Sequence, residues 1–163
     1  METVWAPWRM QYILGNKERD CFFCQKLQET ERDRENYVIF RGTQAFALLN
    51  IYPYNNGHVM IAPYAHVSNL TALNDAQISD IFQITRRCED ALRETMRPEG
   101  FNIGVNVGKV AGAGVEDHLH VHIVPRWNGD TNYMTTISET RVIPQQLEDT
   151  YRLLVSYFSA PAR

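Results

Sequence analysis

The chain has 163 residues, 44% of them hydrophobic and 11% aromatic, enough apolar material for one packed domain and too much for a disordered chain. Lys and Arg total 16 against 19 Asp and Glu, so the net charge is −3 and a basic, sequence-independent nucleic-acid binder is excluded. No apolar run approaches the roughly 20 residues of a membrane helix. The start, Met1-Glu2-Thr3-Val4-Trp5, carries no apolar signal-like run, and three cysteines do not suggest a secreted disulfide framework. A cytoplasmic protein with reduced thiols is expected.

Trp5 to Leu14 is rich in aromatics and reads as an arm, and Asn16 to Asp20 as a polar link; together residues 1–20 precede the core. Cys21-Phe22-Phe23-Cys24 opens a helix-compatible stretch to about Glu31. Tyr37–Arg41 and Gln44–Asn50 read as two strands of a hairpin joined by Gly42-Thr43. Pro53, Asn55, Asn56 and Gly57 mark a loop before a third strand, His58–Ala62, which Pro63 stops. Asn74 or Asp75 caps a long helix to about Arg97, with Ile78, Ile81, Phe82, Thr85, Cys88, Leu92 and Met96 expected on its buried face. Cys88 is then a core thiol. Phe101–Val107 reads as a fourth strand, Gly108–Gly114 as a glycine-rich loop, and His118–Val124 as a fifth strand ended by Pro125. Residues 129–163 form a C-terminal extension whose final helix runs from about Pro144 to Tyr157. The expected fold is α+β, a mainly antiparallel five-stranded sheet with one long helix and a C-terminal helix in a single domain.

Three of the five histidines, His118, His120 and His122, alternate with Leu119, Val121 and Ile123. Alternate residues of a strand share a face, so three imidazoles line one side and three aliphatics enter the core. Imidazoles crowded on one face suit either metal binding or proton and phosphoryl chemistry. Cys21-x-x-Cys24 has the spacing of a zinc half-site, with a redox pair as the rival.

His118-Leu-His120-Val-His122-Ile-Val with Pro125-Arg126 resembles the motif of the histidine triad family of nucleotide hydrolases and transferases. Asn50, Gly57-His58-Val-Met-Ile-Ala-Pro63, His66 and Gly112-Ala-Gly114-Val115 extend the resemblance over residues 21–128. It implies a structural Zn2+ held by Cys21, Cys24, His66 and His118. It implies His120 as the nucleophile that forms a covalent nucleotidyl intermediate, with His122 and His58 as phosphate-facing catalytic partners. Asn50, Asn106, Ala113, Gly114 and Trp127 are the implied nucleotide- and phosphate-binding residues. Trp5-Ala-Pro-Trp8-Arg9 and Val124-Pro-Arg126-Trp127-Asn-Gly-Asp130-Thr-Asn132 are similar to bacterial members that phosphorolyse diadenosine tetraphosphate to ATP and ADP. Gly114 stands where some of those members carry a phosphate-contacting Ser, which leaves hydrolysis to AMP open. An adenosine phosphoramidate hydrolase and a non-catalytic nucleotide binder are the other readings. The implied partners are a dinucleoside polyphosphate, inorganic phosphate and a second copy of the chain in a homodimer or larger homo-oligomer, with no nucleic acid and no membrane.

Overall fold

The computed structural model describes residues 21–131, 143 and 145–160. The expected aromatic arm and Pro144, the expected start of the last helix, lie outside them. Five strands, β1 (Val38–Arg41), β2 (Ala45–Leu49), β3 (Val59–Pro63), β4 (Gly100–Val105) and β5 (Val121–Arg126), form one sheet in the order β1-β2-β3-β5-β4. Every neighbouring pair is antiparallel. Among the described residues three α-helices accompany it: α1 (Phe22–Gln28), α2 (Asp75–Met96) and α3 (Leu147–Ser159). Among the described residues no helix is long and apolar enough to cross a membrane.

The inner strands are buried on both faces, which is why they read as continuous apolar runs rather than alternating ones. Ala45, Ala47, Leu49, Val59 and Ile61 pack toward α2 and α3 with Ile84, Cys88, Leu92 and Leu154. Phe46, Leu48, Met60 and Ala62 face the other way and pack with Phe23 of α1. The histidines occupy this second side.

Helix α2 begins in a capping box: Gln77 N–H donates to Asn74 Oδ1 (2.9 Å) and Asn74 N–H to Gln77 Oε1 (3.0 Å). Its Asp80 carboxylate accepts from the amides of Gln44 (2.7 Å) and Ala45 (3.0 Å), pinning the start of β2 to the helix. The buried stripe is Ile81, Ile84, Thr85, Cys88, Ala91 and Leu92. Phe82, expected in that stripe, is 57% exposed. Phe82 stands one position, roughly 100° of helix, from Ile81, and the buried face runs through Ile81, Ile84 and Thr85 instead.

The last strand departs from expectation at both ends. The pairs Val59↔Ile123 and Ile61↔Val121 would continue to Pro63 and Leu119. Pro63 has no N–H to donate, so the ladder stops and β5 starts at Val121, not His118. The Leu119 amide donates to Val67 O (2.6 Å) instead. Pro125 lies inside β5 rather than after it, because β3 pairs no further than Ile123 and leaves that flank of the strand open. His118 and His120 therefore precede the sheet proper. Leu119, Val121 and Ile123 still enter the core together, so the alternation survives.

Candidate active site

His120, His122 and His58 form a chain of neighbouring rings. His120 and His122 centroids are 4.7 Å apart, and His122 lies 5.1 Å from His58. His118 and His58 are fully buried, His120 nearly so, and His122 half-buried. Gly104 pairs with His122 across β4 and places no side chain beside it.

Hydrogen bonds fix which nitrogen of each ring carries the proton, because a carbonyl can only accept and an amide N–H can only donate. His120 Nδ1–H donates to its neighbour's carbonyl, His118 O (2.8 Å), which leaves Nε2 with a lone pair. The Tyr54 amide donates to His58 Nδ1 (3.1 Å), and Asn50 Nδ2 approaches the same nitrogen at 3.3 Å. Neutral His58 therefore carries its proton on Nε2 and donates it to His122 Nδ1 (2.9 Å). His122 is left with an Nε2–H donor. His118 Nε2–H donates to Pro63 O (2.9 Å), so its Nδ1 lone pair faces the cysteines.

All four rings are held in the neutral form. Burial, followed by the neighbouring imidazoles His122 and His120, pushes His58 down to about 3. Burial and His120 push His122 down to about 4. Burial lowers His120 and His118 too, against the opposing hydrogen bonds to His118 O and Pro63 O. The unfolded chain takes up protons near pH 6.5. The native state refuses them until about 4 at His122 and about 3 at His58. Stability is therefore full above pH 6.5 and falls progressively as the pH drops below it. Each histidine kept neutral costs about 1.4 kcal/mol per pH unit. Urea unfolding between pH 7.5 and 5 checks this: the midpoint should fall over that range, and a flat profile would contradict it.

Beside the rings lies a cavity of about 290 Å³, near the lower end of the roughly 300–1,000 Å³ usual for small-molecule sites. His120, His122, Asn50 and Gly114 line it, together with an apolar wall that includes Phe22, Tyr52, Tyr54, Met60 and Val115. Tyr54 stacks on His122 with centroids 5.9 Å apart. Sequence reasoning passed over this wall and the Tyr54 amide. The crowding of Ile51-Tyr52-Pro53-Tyr54 just before His58 was the available signal.

Three expected ligand residues are not brought to this cavity by the described fold. Asn106 approaches Gly112 O with its amide (3.5 Å), and the Ala113 N–H points to Gly108 O (3.4 Å), so both serve the glycine-rich loop itself. Trp127 lines a second cavity, of about 650 Å³, with Asn55, Asn56, Met96 and Asp130. Asp130 holds that region. It accepts from Arg126 Nε (2.6 Å), Asn55 Nδ2 (2.8 Å) and the Trp127 amide (3.1 Å).

Cys21, Cys24, His66 and His118 bring their ligand atoms within 4.8 Å of one another. The His118 Nδ1 is 3.3 Å from Cys21 Sγ and 3.6 Å from Cys24 Sγ, and His66 Nδ1 is 3.3 Å from Cys24 Sγ. These separations match the edges of a tetrahedron of two thiolates and two imidazoles around a zinc-sized ion, roughly 3.5 Å. Burial and the adjacent Cys21 push the Cys24 thiol up to about 11, so a cation is what would make this pair a thiolate pair. The donor set fits a closed metal centre.

Neutral imidazoles clustered beside a largely apolar cavity, one of them with an unprotonated ring nitrogen, make a histidine-based site. The chain belongs to the HIT family: the HIT domain matches residues 31–129. It is 40% identical to the AP-4-A phosphorylase of Mycobacterium tuberculosis, over 96% of this chain and 84% of that one. It is 30% identical to the asymmetrical bis(5'-nucleosyl)-tetraphosphatase of Schizosaccharomyces pombe, over 74% of this chain and 63% of the relative. Among solved structures, a zinc-bound histidine triad family protein from Mycobacterium smegmatis superposes with a TM-score of 0.69 at 28% identity, covering 86% of this chain and 94% of that one.

Proposed function

We propose that the protein cleaves dinucleoside polyphosphates by nucleotidyl transfer through His120, with inorganic phosphate as acceptor. One observation carries the reading. The His120 proton is locked on Nδ1 by His118 O, so Nε2 is left with a lone pair at neutral pH, in a ring that lines the cavity. In the first step Nε2 attacks the α-phosphorus. A P–N bond forms, the bridging P–O bond breaks, and the leaving nucleotide departs with the electron pair. Positive charge on the His120 ring is relieved by the His118 carbonyl, and the His122 Nε2–H donates to the phosphoryl oxygens as their charge rises. In the second step a phosphate oxygen attacks, the P–N bond breaks, and its electron pair returns to Nε2. Diadenosine tetraphosphate and phosphate thus give ATP and ADP, in keeping with the activity for which the M. tuberculosis relative is named. Asn50, Tyr52, Tyr54 and Phe22 surround the transferred nucleoside. Asn106, Ala113 and Trp127 reach phosphate only if the loop or a second copy brings them there.

Cys21, Cys24, His66 and His118 would hold a structural zinc, tying α1 to the start of the histidine strand. Such thiolate ligands need a reducing compartment, consistent with the cytoplasm. Ile103 of β4 is 44% exposed and Val107 45% exposed along an open sheet edge. That edge would pair with a second copy, extending the sheet in a homodimer.

The test is product analysis of diadenosine tetraphosphate incubated with and without phosphate. ATP plus ADP should appear only when phosphate is present. AMP formed equally in both conditions would assign the enzyme to hydrolysis and overturn the phosphorolytic reading.

A further inference from the structure

The residue between the two cysteines' turn and the triad is Phe23, which the proposed chemistry does not use. It is completely buried. Its ring centroid lies 4.8 Å from that of His120, tilted by 40°, and 5.1 Å from that of His118, tilted by 46°. His122 meets the His120 ring nearly edge-on, at 4.7 Å and 67°. The nucleophile ring is therefore in contact with both an aromatic ring and an imidazole, while His118 O holds its Nδ1–H. A histidine ring turns about its Cβ–Cγ bond in a broad, roughly two-fold well. A single hydrogen bond to a carbonyl leaves that torsion soft, and rotation would exchange Nδ1 and the carbon opposite it.

Phe23 is itself positioned from both sides. Cys21 and Cys24 flank it, Cys21 is the N-cap residue of α1, and the Phe23 ring also meets Phe46 edge-on at 6.3 Å. Whatever fixes the two thiols fixes the backbone of Phe23, and Phe23 touches both a metal-set ring and the nucleophile ring.

We propose that Phe23 is a positioning residue for His120, and that through it the Cys/His cluster sets the orientation of the nucleophile rather than serving stability alone. This rests on His120 being the nucleophile. Phe23 borders the cavity but exposes no surface to solvent, so its contribution falls mainly on the transfer step through its contact with His120. The aromatic face is what matters. Leu is similar in volume but offers no flat surface to an imidazole.

Phe23→Leu and Phe23→Ala would be compared with wild type in three measurements. These are zinc content per chain, kcat and KM on diadenosine tetraphosphate with phosphate, and the His120 ring-nitrogen signals in 15N-histidine NMR. The expected result for Phe23→Leu is one zinc per chain, KM within threefold of wild type and kcat lower by about tenfold. Its His120 signals should shift from the pure Nδ1–H form toward a mixture. Phe23→Ala should be lower again in kcat. If the Ala variant does not fold, the Leu variant alone decides. A Leu variant with wild-type kcat and an unchanged Nδ1–H signature overturns the proposal, as does a loss of kcat that merely tracks a loss of zinc. The NMR arm reads ring orientation with no substrate present. An inactive wild type would therefore sink the nucleotidyl-transfer reading while leaving the positioning role to be decided by the ring signals.

Discussion

Replacing His120 by Asn or Ala should abolish turnover, by at least roughly 10⁴-fold in kcat, while AMP still binds. The reason lies in what else the site offers. Among the described residues lining the cavity, His120 and His122 are the only imidazoles, and His122 Nδ1 already accepts from His58 Nε2–H. The His122 Nε2 then carries a proton and cannot attack. No second lone pair is poised to replace the first, so the loss should be close to complete. Binding should survive, because the apolar wall from Phe22, Tyr52, Tyr54 and Met60 does not depend on His120. Trapping of radiolabelled adenylate on the protein, together with AMP titration, checks both halves. A labelled covalent adduct in the Asn variant, or undiminished kcat, would remove His120 from the role.

The second large effect is expected at the metal set. Cys24→Ser should lose bound zinc and lower stability by about 2–3 kcal/mol, the scale of unburying one large apolar side chain. Cys24 is the sulfur that reaches both histidines, 3.3 Å from His66 Nδ1 and 3.6 Å from His118 Nδ1. Without it α1 keeps the contacts of Phe23 with Phe46, His118 and His120 and the hydrogen bonds of Lys26 to Asn36 and Arg41, but loses its tie to His66. The sheet and its packing against α2 do not pass through the cluster, so the chain should still fold. Zinc analysis with urea unfolding tests the pair of expectations. Unchanged zinc content in the variant would refute the site.

The two largest effects fall on residues of different legibility. The alternation from His118 to Ile123 was visible at once, since period two in a run of histidines and aliphatics has one physical reading as a half-buried strand. The capping box at Asn74 and Gln77 was half visible, since Asn74 was already marked as a cap. The Cys21 and Cys24 pair was visible as a half-site, but nothing local tied it to His66 and His118, which lie 42 and 94 residues from Cys24. Only resemblance paired them, and only the fold brings the four together.

Other features depend on long-range pairing. Pro63 stops the ladder before His118 only because β3 lies beside β5 in the register Ile61↔Val121. Pro125 is tolerated inside β5 only because β3 has ended on that side. Phe82 looked like a member of the buried stripe because it keeps four- and three-residue spacings to Ile78 and Thr85, and the sheet's position chose the phase of Ile81 and Ile84.

Sequence alone determined the alternation of histidines with aliphatics, the long capped helix and the apolar inner strands, because each is a local pattern of period, cap or composition; the nucleophile came from the family resemblance. Tertiary structure decided the tautomers of His118 and His122. It did so through partners distant in the chain: Pro63 O for His118, and His58 for His122, 64 residues away. It also placed Phe23 against His120, from the other end of the domain's chain, and withheld Trp127 from the cavity. A hydrogen-bond acceptor or a ring face is a matter of approach in space, and spacing along the chain carries no record of it.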